Sequence, residues 1–226
     1  MTEFLPGIDP SFFNSTDPAN VSTTVRLILL LTVLSIAPSI LILMTSFTRI
    51  IIVLSFVRTS LATQQMPPTQ VLISLALFMT FFIMAPTFSE INDQAVSPFL
   101  DGQITEQQAF DRASVPIKEF MSKHTRQKDL MLFLNYADME KPKTIEDIPL
   151  TALVPAFAIS EIKTAFQIGF MIFVPFLVID MIVASILMSM GMMMLPPVMI
   201  SLPFKILLFV MVDGWYLVVK SLLLSF

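Results

Sequence analysis

The chain has 226 residues, 55% of them hydrophobic and 13% charged, against roughly 25% charged in an ordinary soluble domain. Its formal net charge of −4 argues against nucleic acid as a partner. The absence of Cys and the single His, His124, exclude a disulfide, thiol catalysis, an Fe–S or zinc-thiolate centre and a multi-His metal site within one chain.

A mean hydropathy of +0.82 points to an integral membrane protein. The opening stretch, MTEFLPGIDPSFFNSTDPANVSTTV, has no basic start and carries Glu3, Asp9 and Asp17. It reads as an acidic tail over residues 1–24 and not as a signal peptide. Leu27–Thr48 is a run of 22 uncharged residues between Arg26 and Arg49, long enough for a spanning helix of about 20 residues. Thr59–Ser89 is also uncharged. It begins with a polar turn, TQQMPPTQ, in which Pro67–Pro68 start the next helix, and its apolar part is Val71–Phe88. Residues 25–89 are therefore expected to form a first helical hairpin.

Residues 90–150 differ in kind, with 11 acidic and 7 basic residues. Ile117, Phe120 and Met121, then Leu130, Phe133 and Leu134, recur at helical spacing, so a small, water-exposed helical domain is expected here. The stretch EKPKTIEDIP reads as a linker. Two apolar runs follow, Thr164–Met190 and Phe204–Phe226, and residues 151–226 are expected to form a second hairpin. Arg49 and Arg58 lie in the first loop between spans, while the tail has no basic residue before Arg26. Positive charge retained inside would place that loop in the cytoplasm and the 90–150 domain outside. Both arginines read as topology and inner-surface charges.

The spans are irregular. Pro38, Pro86, Pro155, Pro175 and Pro203 lie in or beside them, and each removes a backbone donor and bends or stops a helix. Only 16 uncharged residues separate Lys163 from Asp180, about 24 Å of helix against a hydrocarbon core of about 30 Å. Glu161 and Asp180 are the notable charges of this run. Glu161 reads as an interfacial residue beside Lys163. Asp180 interrupts VPFLVIDMIVASILM and reads as a packing carboxylate, with a proton relay as the sharper alternative and Asp213 and Lys205 as its possible companions.

Between these last runs stands GMMMLPPVM. Six of the 17 Met fall between Met188 and Met199. Gly191 fits a helix C-terminus, and Pro196–Pro197 forbid continuation, which makes the Met cluster a hairpin tip. Met packs irregular gaps, and thioethers also bind Cu(I). Three consecutive Met point in different directions, and no Cys or His is near, so the metal reading is weak. A third reading is a deformable apolar seal. Enzyme motifs are missing: there is no P-loop, GxSxG or HExxH, and the chain has only five Gly. No cofactor is expected.

The blocks SFTRIIIVLSFVRTSLATQQMPPTQVLISLALFMTFFIMAPTF, FMSKHTRQKDL and LVPAFAISEIKTAFQIGFMIFVPFLVIDMIVASILMSMGMMMLPPVMISLPFK resemble the FliP family of the bacterial flagellar type III export gate. The resemblance runs from about Val25 to the C-terminal end and is loose over Asn92–Pro116. It implies an all-α membrane protein of Pro-bent hairpins, four apolar helical segments by hydropathy, with a small helical extracytoplasmic domain. It implies a homo-oligomer of about five copies around one axis, with FliR-like and FliQ-like subunits, FlhB-like and FlhA-like export components, membrane lipid and unfolded flagellar export substrates. It also implies that Met192, Met193 and Met194 form a pore gasket and that Glu161 and Asp180 serve subunit contacts or a relay. The expected setting is the flagellar basal body in the cytoplasmic membrane. A small-solute or Cu(I) transporter is the alternative.

Overall fold

The structure is a computed structural model that describes residues 18–63, 65–192 and 194–226. Most of the expected acidic tail, residues 1–17, and Met193 of the expected gasket lie outside the described residues. Among the described residues the regular structure is helical throughout.

The chain divides into two compact units at Leu41–Ile42. The first holds most of helix α1, Pro18–Met44, with Pro38 inside it. Leu31, Leu34, Ile36 and Ile40 of α1 are exposed, as a lipid- or partner-facing helix requires.

The second unit contains everything that follows. Helix α2, Phe47–Ser60, is its centre, and buries Ile50, Val53, Leu54 and Val57 along one stripe. That spacing is the helical repeat of a core-facing side. Helix α3, Thr69–Ile91, follows Pro68 and contains Pro86. It continues through a π-helical turn at Asn92–Val96 into α4, Ser97–Leu100. The polar region folds as α5, Glu106–His124, and α6, Gln127–Tyr136. Thr105 opens α5 with a capping box, its hydroxyl accepting from the Gln108 backbone while the Gln108 side chain accepts from the Thr105 backbone, so two end donors are satisfied at once.

Helix α7, Leu150–Ser189, runs for 40 residues, about 60 Å at 1.5 Å per residue. It begins well before the apolar run at Thr164 because Glu161 and Lys163 leave the helix on different sides: Glu161 is buried and Lys163 exposed. The return path is two helices, α8 at Pro197–Met211 and α9 at Gly214–Leu223, bent by 62° to one another. Asp213, at φ 51°, makes the corner.

A core of Met121, Ile148, Leu153 and Phe157 joins α5 to the start of α7, with Ile117, Phe120, Leu130 and Val154 packed around it. The broadest helix contact is α2 against α7. There Gly169 lies under Phe56, where an added Cβ would fall 2.5 Å from the ring. Phe56 is held edge-on by Phe166, with ring centroids 5.2 Å apart. Gly169→Ala is therefore expected to cost about 1–3 kcal/mol through overpacking. Thermal unfolding in detergent checks this, and Phe56→Ala should relieve part of the loss. Strictly additive losses would count against the close contact.

Among the described residues, two helical stretches, Thr69–Leu100 and Leu150–Ser189, are long and apolar enough to cross a membrane. These residues hold up to four spans by length and composition if Leu34–Met44 with Phe47–Ser60, and Pro197–Met211 with Gly214–Leu223, each count as one.

Candidate functional site

The hairpin tip is set by local backbone chemistry. Gly191 takes φ 75°, a left-handed conformation in which a Cβ is penalised. Its N–H donates to the Met188 carbonyl at 3.1 Å, and the Met192 N–H to the Leu187 carbonyl at 3.0 Å. This crossed pair is a Schellman ending. The motif separates the methionines. Met192 stands at the position that packs back on the helix and is 36% exposed, whereas Met194 is 99% exposed. Met188, Met190 and Met199 are also exposed. Pro196 precedes α8, and Pro197 is its first residue, where a missing N–H costs nothing.

Below the tip, Asp180 joins three helices. Lys205 Nζ on α8 donates to Asp180 Oδ2 at 2.6 Å and to the Ser60 carbonyl, the last residue of α2, at 3.2 Å. Ser201 Oγ donates to Asp180 Oδ1. The Lys205 side chain is 3% exposed and that of Asp180 25%. The companion named for Asp180 from sequence is thus Lys205, not Asp213, which lies at the α8–α9 corner.

Toward the other end of α7, Glu161 is fully buried and faces Arg49 of α2, itself 3% exposed. Arg49 Nε donates to Glu161 Oε2 at 2.9 Å, and a second donor on the same guanidinium engages Oε1. This is the forked geometry that makes Arg–carboxylate pairs strong. The remaining nitrogen donates to the Ser225 carbonyl at 2.7 Å and to Ser225 Oγ at 3.0 Å. The guanidinium lies 3.8 Å over the Phe226 ring. Arg58 does not join this group; it donates to Thr69 Oγ1 at 3.0 Å, across the α2–α3 turn.

Sequence reading anticipated neither the Arg49–Glu161 pair nor the place of His124. His124 is half-buried. It contacts the Phe120 carbonyl at 2.8 Å through Nδ1 and lies against Phe226. Burial is the main cause that pushes its imidazole below the usual histidine value; a hydrogen bond to Phe120 opposes this, and Arg49 adds to it. A third polar group joins α6 to α7: Ser160 Oγ donates to Asp129 Oδ2 at 2.7 Å, and Arg126 pairs with the same oxygen at 2.6 Å.

The sequence model of the FliP family matches residues 30–222. The chain belongs to the FliP family. It is 74% identical to the flagellar biosynthetic protein FliP of Bacillus subtilis (strain 168) over 226 residues, all of both chains. It is 55% identical to that of Caulobacter vibrioides over 202 residues, 89% of this chain and 76% of the relative. Against the Aquifex aeolicus protein of the same name, identity is 50% over 209 residues, 92% of this chain and 87% of the relative. FliP family membership thus rests on a match that includes α2, α7, the tip and α8.

Proposed function

We propose that this FliP family chain is a pore-forming subunit of the flagellar type III export gate, passing unfolded flagellar proteins across the bacterial cytoplasmic membrane. The observation that carries this reading is the tip: an apolar side chain, Met194, stands 99% exposed on a turn locked by the Gly191 ending. An exposed cluster of large apolar groups marks a contact with other protein, with a ligand or with the membrane, and membership of the FliP family favours other protein. In the gate, about five copies bring their tips to one axis in a closed arrangement, with FliR-like and FliQ-like subunits beside them and FlhA-like and FlhB-like components supplying the export machinery.

Met192, Met193 and Met194 of neighbouring copies pack together and exclude water and ions. A passing chain displaces them readily, because Met is unbranched and adapts to irregular shapes. Glu161 and Asp180 hold the hairpins in the shape that presents the tip. From Thr164 to Ser189, α7 is about 39 Å long, more than a hydrocarbon core of about 30 Å can cover. Neighbouring subunits supply the remaining cover.

Changing Met192, Met193 and Met194 together to Ala is expected to raise ion leakage through the assembled gate several-fold while export continues. Met194→Ala alone should account for more of the leak than Met192→Ala. Conductance of the reconstituted gate and whole-cell leakage measure both. Unchanged conductance in the triple variant would end the seal reading. A chain that purifies without partners and binds Cu(I) would favour metal transport.

A further inference from the structure

Side chains of α2 and α5 converge on Phe226, just beyond α9. The Arg49 guanidinium of α2 lies 3.8 Å from the centre of its ring. Phe120 of α5 stacks on the same ring, with centroids 6.3 Å apart and planes 15° from parallel. His124, one turn further along α5, lies 5.3 Å from it and 4.8 Å from Phe120, centroid to centroid. Arg49 also donates to the Ser225 carbonyl at 2.7 Å and to its hydroxyl at 3.0 Å. These contacts dock residues 225–226 on α2 and α5. The Leu224 N–H then donates to the Lys220 carbonyl at 3.0 Å and the Ser225 N–H to the Leu222 carbonyl at 3.1 Å.

The imidazole is held where a charge is unwelcome. Its Nδ1 is 2.8 Å from the Phe120 carbonyl, and a carbonyl only accepts, so Nδ1 carries a hydrogen. The charges that bear on the ring are Arg49, which shares Phe226 with it, and Lys123 beside it on α5, both positive. Glu90 of α3 and Glu119 of α5 line the same cavity of about 460 Å³ as His124 and Phe226, but both are exposed and keep their water. Glu161 of α7 is engaged by Arg49. Burial lowers the proton affinity of His124, and Arg49 and Lys123 lower it further, against hydrogen bonds to the Phe120 and Phe226 backbone. Undocking Phe226 removes part of that burial and separates the imidazole from a shared ring. The undocked state therefore binds the proton better, and by linkage acid favours undocking.

We propose that His124 is the acid-sensitive part of a latch on the end of α9: with a neutral imidazole residues 225–226 stay docked on Arg49, Phe120 and His124, and a proton on the imidazole releases them. The docked end is at full strength above about pH 6.5, the ordinary histidine value, and loosens as pH falls below it. Release frees only the Arg49 nitrogen that holds Ser225. The two donors on Glu161 remain, so the α2–α7 contact survives. No step uses the Met tip, so the latch stands apart from the pore reading.

The test is amide hydrogen exchange of the full chain in detergent near neutral pH and one unit below the ordinary histidine value, corrected for the intrinsic exchange rate. Leu224 and Ser225 are the reporters. Their protection should fall several-fold at the lower pH, with about tenfold as the limit that one pH unit sets, while α2 and α6 keep theirs. His124→Gln, which cannot titrate, should hold the end at both pH values. His124→Lys, charged throughout, should leave it loose at both. Glu90→Gln with Glu119→Gln should preserve the fall. Constant protection in the parent would overturn the latch, and so would docked ends at both pH values in His124→Lys. A fall that persists in His124→Gln would give the titration to another group. Equal losses in α2, α6 and the end of α9 would mean general acid unfolding, and that too would overturn it.

Discussion

Arg49→Met is expected to lower the stability of the chain by about 3–5 kcal/mol, the cost of leaving a buried charge without its partner. Glu161 has no exposed surface, and both of its oxygens are held by the Arg49 guanidinium, so nothing in the fold lets water take over. The same substitution releases Ser225 and uncovers Phe226, so loosening should spread from the α2–α7 contact to the end of α9. Glu161→Gln keeps an acceptor for the guanidinium and should cost less. The double change Arg49→Met with Glu161→Leu should recover most of the loss, because an apolar pair of similar volume often replaces a buried ion pair at little cost. Denaturant unfolding of the detergent-solubilised chain gives these values, and hydrogen exchange in α9 reports the spread. A single Arg49→Met variant within about 1 kcal/mol of the parent, the range of an exposed pair, would show that Glu161 finds another partner.

The parts of this fold that sequence predicts are those fixed by covalent geometry and by composition. The tip follows from Gly191 and Pro196–Pro197, whose backbone limits act within a few residues. The apolar segments follow from hydropathy, and the α5–α6 region from the spacing of Met121 and Leu134, both now in the core. Two boundaries were less visible. The start of α7 was hidden because Glu161 and Lys163 read as one polar break, although a helix sends them to different surroundings. The α8–α9 corner was hidden inside the apolar run Phe204–Phe226, although Asp213–Gly214 is a turn dipeptide and was the signal to use.

The pairings divide by distance along the chain. Asp180 and Lys205, 25 residues apart, face each other across one hairpin, and folding the hairpin on paper brings them close. Arg49 and Glu161 are 112 residues apart, and no periodicity relates them. An arginine in an apolar loop reads equally well as a surface anchor or as half of a buried pair. Only packing α2 on α7, with Gly169 admitting the Phe56 ring, decides between them. The place of His124 was hidden for the same reason, since Phe226, whose ring lies against it, comes from a distant part of the chain.

Asp180→Ala separates the two roles open to this carboxylate. Lys205 is as buried as Arg49, 2% exposed against 3%, and without Asp180 its ammonium keeps only the Ser60 carbonyl. The expected cost is again about 3–5 kcal/mol, and it falls on the junction of α2, α7 and α8, so the yield of assembled gate should drop sharply. Asp180→Asn retains an acceptor for Lys205 and Ser201 and should give an intermediate yield. The informative variant is the pair Asp180→Ala with Lys205→Met, which removes both charges and fills the space with apolar atoms. If Asp180 serves packing, this pair restores both the complex, measured by native mass analysis, and the secretion of flagellar subunits. If it relays protons, the pair restores the complex but not secretion, because the titrating group is gone. A normal yield of complex from Asp180→Ala alone would exclude the packing role directly, since a junction that survives an unpaired buried lysine was not held by the pair.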